Sequence, residues 1–487
     1  MLFNSYIYIL FFLPIVGNIY YLIKARHQLK LSYYWLIFVS LFFYAWWKSE
    51  YIMIILTSIG VNYFVSQSFN SNYLKEKNAL PRKLLLAVAI VFNLGLLGYF
   101  KYKYFILENV NGLIGSALPN PTIVLPLAIS FFTFQQISFL VDTYKKIVKN
   151  HNFTSYILYI TFFPQLIAGP IVHHKEMMPQ FAKTEHNIPW VMISQGLFLF
   201  SIGLFKKVEI ADYFAHFATF GFNHSAGISM INAWVSTLSY CFQIYFDFSG
   251  YTDMALGSAL LFGIRLPYNF NSPYKALSIQ DFWQRWHMTL SRFLRDYVYI
   301  PLGGNRISFH RTLFNVFLTF IIGGLWHGAA WTFVGWGVMH GVGVSVQRIW
   351  AKFNISMPFI MGWMLTFLFI NLTWVMFRAN NIEQAVNMYQ GLIGYSGIGL
   401  QGVSAIEFFI WNFSLQSMTF IGQGVPVEAT FPIALLPVLM VIVFCKNSNQ
   451  YLEYFRPSIF KLIISVILMV ISLYDLSNYS EFLYFQF

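Results

Sequence analysis

Eleven histidines are spread over 487 residues, and His327 stands in the setting best suited to chemistry. It lies in FIIGGLWHGAAWTFVGWGVMHG, where the only other ionisable side chain is His340. Gly323, Gly324, Gly328, Ala329 and Ala330 surround it. Small residues let backbones approach closely and leave room for a ligand chain. Burial among apolar groups disfavours the charged imidazole, and a neutral imidazole is a competent general base. The plainer role is a histidine bonded to a neighbouring helix; the glycine and tryptophan setting tips the reading toward catalysis. His287, in RWHM, is read as lying on a helix and pointing into the protein. His27, His151, His186, His224 and His310 fall in polar loops, and His216 among aromatics, so these read as structural. His173 and His174 follow PQLIAGPIV at the mouth of a re-entrant segment, where they could gate a tunnel, with ordinary loop histidines the plainer reading.

The spacing excludes other site chemistries. A metal centre needs three or four ligands, and no H-x-x-H or H-x₃-H cluster is present. No metal is therefore expected. A G-x-S-x-G nucleophile elbow is absent, which removes the usual setting for a serine triad. Cys241 and Cys445, the only cysteines, give little support for a thiol nucleophile. The remaining role for His327 is to work directly on two bound substrates. It would deprotonate an attacking hydroxyl while a thioester carbonyl waits nearby, with proximity supplying much of the rate.

Two polar stretches must help to hold this site. Gln243, Asp247, Ser249, Tyr251, Thr252 and Asp253 end an apolar run in FQIYFDFSGYTD. A carboxylate at membrane depth is costly unless paired, so Asp247 and Asp253 are expected to cap a helix and to pair with arginines downstream. In SIQDFWQRWHMTLSRFLRDYVYIPLGGNR, Ser278 and Asp281 make a start resembling a capping box. Phe282, Trp286, Leu290 and Phe293 then share one face, flanked by Arg285, Arg292 and Arg295. The expectation is one amphipathic helix at the membrane interface, broken at Pro301-Leu302-Gly303-Gly304-Asn305. Its basic face is suited to a phosphate-bearing ligand on the cytoplasmic side.

The elements around these residues are set by composition. Thirty Lys+Arg against 18 Asp+Glu give +12, yet only 10% of residues are charged, while 57% are apolar and 20% aromatic. Soluble domains carry about 25% charge, so a water-soluble fold is excluded, and the aromatic content excludes disorder. Two cysteines cannot build a disulfide framework. The chain reads as a polytopic membrane protein. Apolar runs fall at 6–23, 31–47, 51–65, 84–100, 122–140, 155–168, 191–205, 231–248, 313–326, 329–346, 359–377, 431–444 and 462–473; the short ones read as tilted or re-entrant. The first run reads as an uncleaved span with its N-terminus outside. Lys24, Arg26 and Lys30 then lie inside, as do Lys75–Lys83 and Lys145–Lys149, by the positive-inside rule. Lys101 and Lys103 fall in an outer loop and violate it mildly. The net charge is assigned to topology and anionic headgroups, since no soluble module gathers it for nucleic acid.

Together these segments resemble membrane-bound O-acyltransferases, within the alginate O-acetylation (AlgI-like) and peptidoglycan O-acetylation (PatA-like) branch. The resemblance covers nearly the whole chain. It is carried by MLFNSY, SFFTFQQISFLVDTYKK, FPQLIAGPIVHH, FQIYFDFSGYTDMALGSALLFGIRLPYNFNSPY, DFWQRWHMTLSRFLRDYVYIPLGGNR, LWHGAAWTFVGWGVMHG and EFLYFQF. D-alanyl transferases of the DltB type look more distant. The resemblance implies an all-α polytopic fold of about 11–13 transmembrane and re-entrant helices ringing a central tunnel. It implies a single domain over 1–487, with a cytoplasmic-side segment at 267–311, a catalytic region at 313–346 and an aromatic tail at 478–487. His327 matches the family's essential histidine and His287 its second. The implied donor is cytoplasmic acetyl-CoA, with no permanently bound cofactor. The implied acceptor is a secreted or anchored acetyltransferase of the SGNH type, beyond the bacterial cytoplasmic membrane.

On that footing Arg285, Arg292, Arg295 and Arg306 are candidates to hold the CoA phosphates. Trp286, Trp326, Gly323, Gly324 and Gly328 would support the tunnel. Asp247 or Asn269 would orient an imidazole. Tyr484, in the aromatic tail, would carry the acyl group transiently or belong to an interfacial aromatic belt. A transporter or flippase would be expected to show inverted repeats, and no repeated hydropathy is seen. A scaffolding subunit of an export complex would tolerate loss of His327.

Overall fold

The computed structural model describes residues 1–70, 79–115, 124–148, 151–167, 169–181, 189–399, 434–476 and 483. The described chain is α-helical throughout, with no strand among the described residues. Five helical segments there are long and apolar enough to cross a membrane: Ile7–Ala25, Ser49–Phe69, Pro81–Ile114, Trp190–Asn223 and Phe359–Arg378. Leu22, Phe64, Leu84, Phe359 and Ile360 on them are exposed. Faces of that kind have lipid as their natural solvent. The chain is an all-α polytopic membrane protein.

Helix continuity differs from the expected runs in two places. Lys101 and Lys103 do not lie in a loop: Pro81–Ile114 is one helical stretch, passing through a π-helical turn at Gly98–Tyr102. Lys103 sets its ammonium 5.0 Å from the Tyr99 ring centroid. The polar run FQIYFDFSGYTD does not cap a helix either, because the helix continues from Met230 to Leu260. Its polar side chains are buried instead.

The chain divides into two compact units. The first comprises Met1–Leu204, Tyr251–Asn269 and Leu452–Ser477. In it, Asn62 and Asn93 exchange amide hydrogen bonds of 2.6 and 3.1 Å between the helices Ile52–Asn70 and Ala79–Leu97. Buried amides of this kind bind helices where water cannot compete. Tyr8 donates to Ser258 Oγ at 2.8 Å and packs beside Phe3 and Phe43. After Phe153–Thr161 the chain turns at Phe162 into the short helix Phe163–Leu166, so the run at 155–168 is not a full span.

The second unit comprises Phe205–Gly250, Phe270–Tyr451 and Asn478–Phe487. Its centre is the hairpin of Phe309–His327 and Trp331–Ala351. A Cβ at Gly324 would strike the Phe333 carbonyl, and one at Gly337 would come within 2.5 Å of the Phe320 carbonyl. Glycine at both positions therefore lets the two backbones touch, which is how helices associate in lipid. Ser308 caps the first helix by accepting from the Arg311 N–H at 3.2 Å. Asn315 ties it to the preceding loop by donating to the Gly304 carbonyl at 3.0 Å.

Candidate active site

His327 is the last residue of Phe309–His327, where the hairpin turns. Its ring lies 5.1 Å from Trp336, nearly perpendicular, and 5.1 Å from Phe377. Trp326 is 4.9 Å away. The side chain is buried, as is that of Trp326. The aromatic walls come from three elements of the second unit: the hairpin's two helices and Phe359–Arg378.

His287 is brought to the same place. Its ring centroid is 6.3 Å from that of His327 and 6.1 Å from that of Trp326. Phe248 meets it edge-on at 4.8 Å, and the side chain is fully buried. Contrary to the expectation, His287 does not sit within a helix. The segment forms two short helices, Ile279–Arg285 and Met288–Leu294. Between them Trp286 is extended and His287 adopts φ 43°, ψ 52°, in the left-handed region. Such a conformation in a non-glycine residue costs about 1–3 kcal/mol, and the surrounding packing over-determines it. Phe282 and Trp286 stack at 5.6 Å, and Trp286 packs on Trp374 at 5.0 Å.

In place of the expected surface helix stand two short helices, and Phe282, Trp286, Leu290 and Phe293 are buried in protein. The Ser278 start holds: Ser278 Oγ accepts from the Asp281 N–H at 3.1 Å, and Asp281 Oδ2 accepts from the Leu277 N–H at 3.1 Å.

The candidate donor arginines are spread along this segment. Arg285 is half-buried and pairs with Asp281 at 2.7 Å. Arg295 is exposed and pairs with Asp296 at 2.7 Å. Arg292 is half-buried at the end of Met288–Leu294, and Arg306 is exposed after the Gly303-Gly304 turn. Gly323 faces Leu294, and a Cβ there would meet its methyl at 3.2 Å, so the leucine would have to shift slightly. The space beside Gly328 is filled by the Phe333 ring.

Asp247 finds partners other than those expected. No arginine pairs with it among the described residues. Lys207 reaches Asp247 Oδ1 at 2.7 Å and Asp212 Oδ1 at 2.7 Å. All three are buried, so one cation is shared by two carboxylates. The second oxygen of Asp247 accepts from the Leu483 N–H at 3.0 Å. The carboxylate thus holds the backbone of Leu483, within the tail, and among the described residues it pairs with no imidazole. Tyr484 itself lies outside the described residues. Asn269 is fully buried and belongs to the first unit.

Sequence reading gave no role to Trp336 or His340. Trp336 stands between His327 and His340, with its ring 4.7 Å from the latter. His340 is fully buried, and its Nδ1 accepts from the Trp283 indole N–H at 3.1 Å. That bond assigns the proton to Nε2 in the neutral ring. The spacing in GWGVMHG held the signal, since Trp336 and His340 are i, i+4 on one helix face. Lys207 gave none, because it directly follows the apolar run at 191–205 as one of two adjacent lysines.

Burial in an aromatic cage disfavours a charged imidazole, which suits proton transfer to and from a hydroxyl better than charge pairing. The model of the membrane-bound O-acyltransferase family matches residues 12–386. The peptidoglycan O-acetyltransferase of Helicobacter pylori is 45% identical, over 100% of this chain and 98% of that protein. The probable alginate O-acetylase AlgI of Pseudomonas aeruginosa is 38% identical, over 81% and 75% respectively. The teichoic acid D-alanyltransferase of Streptococcus thermophilus is 27% identical, over 46% of this chain and 57% of its own.

Proposed function

The chain belongs to the membrane-bound O-acyltransferase family and is an O-acyltransferase, and from that premise we propose that it carries an acetyl group across the bacterial cytoplasmic membrane for O-acetylation of a cell-envelope polysaccharide. Peptidoglycan is the favoured destination. That choice is supported by the 45% identity to a protein named for it, against 38% and 35% to two alginate O-acetylases. Cytoplasmic acetyl-CoA is the donor. The acceptor hydroxyl comes from the outer side, on a secreted or anchored SGNH-type acetyltransferase that completes transfer to the glycan.

In this reading His327 accepts the proton of the attacking hydroxyl. The oxygen attacks the thioester carbonyl, a C–O bond forms, the C–S bond breaks, and the proton passes to the leaving thiolate. His287 orients or polarises the thioester beside it. Arg285, Arg292, Arg295 and Arg306 attract the CoA phosphates. The observation that carries the proposal is the buried pair of imidazoles 6.3 Å apart in an aromatic cage.

The experiment is His327→Ala, with membrane abundance measured alongside ester-linked acetate released from purified peptidoglycan. Normal abundance with acetate lost supports the role. Retained acetate at normal abundance overturns it and favours a scaffold or transport role.

A further inference from the structure

Away from the His287–His327 pair, the described residues bring together one group of three metal-ligating side chains, Asp142, His173 and His174, in the first unit. Asp142 is in the last turn of Ile129–Tyr144, and His174 opens the helix His174–Phe181. Both rings turn Nδ1 toward the same carboxylate oxygen, at 3.7 Å for His173 and 3.5 Å for His174. The three ligand atoms lie within 4.8 Å of one another.

These separations exceed an N–H···O hydrogen bond. They match ligands around a shared ion: tetrahedral zinc with bonds near 2.1 Å sets its ligands about 3.4 Å apart. Asp142 and His174 are 4% and 5% exposed. Neither ring nitrogen of His174 has a hydrogen-bond partner among the described residues, an expensive state for a buried polar group.

The backbone around the group is also held. The His173 N–H donates to Glu176 Oε2 at 3.2 Å. The Ile147 N–H donates to the Asp142 carbonyl at 2.8 Å. Phe139 presses edge-on against His174 at 5.9 Å.

We propose that Asp142, His173 and His174 bind a divalent first-row transition ion, zinc by donor set, with water as a fourth ligand, and that the ion staples the end of Ile129–Tyr144 to the start of His174–Phe181. Two imidazoles and one carboxylate are a donor set zinc accepts. The sequence concealed the site because its ligands are adjacent residues plus one from 31 positions earlier, a spacing outside the common motifs. The proposal is independent of the acyl-transfer reading.

The test uses full-length protein in detergent, purified without chelator and with any histidine tag removed. It is incubated with zinc, desalted, and its metal content measured by mass spectrometry. Roughly one zinc per chain is expected, with at least a tenfold drop in affinity in Asp142→Asn and His174→Gln. Wild-type protein that keeps no zinc overturns the proposal, leaving a histidine–carboxylate cluster without an ion. Variants that keep wild-type zinc overturn it equally. Should the variants fail to fold, the wild type decides by cobalt substitution: tetrahedral visible bands that zinc displaces support the site, and octahedral or absent bands refute it.

Discussion

His287 shows how the second unit spends local strain to place one ring. A left-handed backbone at φ 43° turns the chain between two short helices and sets the imidazole against Phe248, Trp326 and His327. Asparagine tolerates the left-handed region better than most residues. His287→Asn is therefore expected to reach the membrane at wild-type level while acetyl transfer falls at least tenfold; transfer at the wild-type rate would remove His287 from the chemistry. His327→Gln is expected to cost about 10²–10⁴-fold, the usual range for a general base, read from the transfer rate to a soluble acceptor fragment at equal protein. Both histidines were singled out in the sequence, His327 by its glycine and tryptophan setting and His287 by the family resemblance, and the structure brings the two rings together. Their distance was not legible, since it depends on a break that no glycine or proline announces.

At the scale of elements, the hairpin of Phe309–His327 and Trp331–Ala351 is held by contact between backbones. Gly323 and Gly324 are neighbours with opposite surroundings, a flexible leucine methyl against one and the Phe333 carbonyl against the other. Gly324→Ala should lower the thermal midpoint in detergent, by the roughly 1–3 kcal/mol that overpacking costs. Gly323→Ala should leave it nearly unchanged, since the Leu294 methyl can yield. Equal midpoints for both variants would contradict the packing described. The buried charge cluster makes a larger demand. Lys207→Met leaves Asp212 and Asp247 without their shared cation and is expected to cost about 3–5 kcal/mol. It should be visible as loss of folded protein on size exclusion, with Lys206→Met as the mild control. Sequence periodicity exposed the hairpin because small residues cluster there. It misread 279–295 because buried and interfacial aromatic residues can share the same spacing, and partners elsewhere in the chain, such as Phe248 and Trp374, tell them apart.

For the whole molecule, composition alone fixed the solvent: 10% charge and 57% apolar residues leave no water-soluble alternative. Sidedness depends on finer detail, and the two free cysteines offer a way to read it. Cys241 is buried and Cys445 exposed, so a thiol reagent should mark one position. Lys275 donates to the Cys445 carbonyl at 2.6 Å, which places Cys445 beside the start of the basic segment that carries Arg285, Arg292 and Arg295. If that segment meets the CoA phosphates, Cys445 faces the cytoplasm. A membrane-impermeant maleimide is then expected to label inverted membrane vesicles and to spare intact spheroplasts, with Cys445→Ser abolishing the signal. Labelling of spheroplasts alone would put the arginines on the outer face. No phosphate-bearing cytoplasmic donor could reach them there, and the direction of transfer proposed for His327 would have to be reversed.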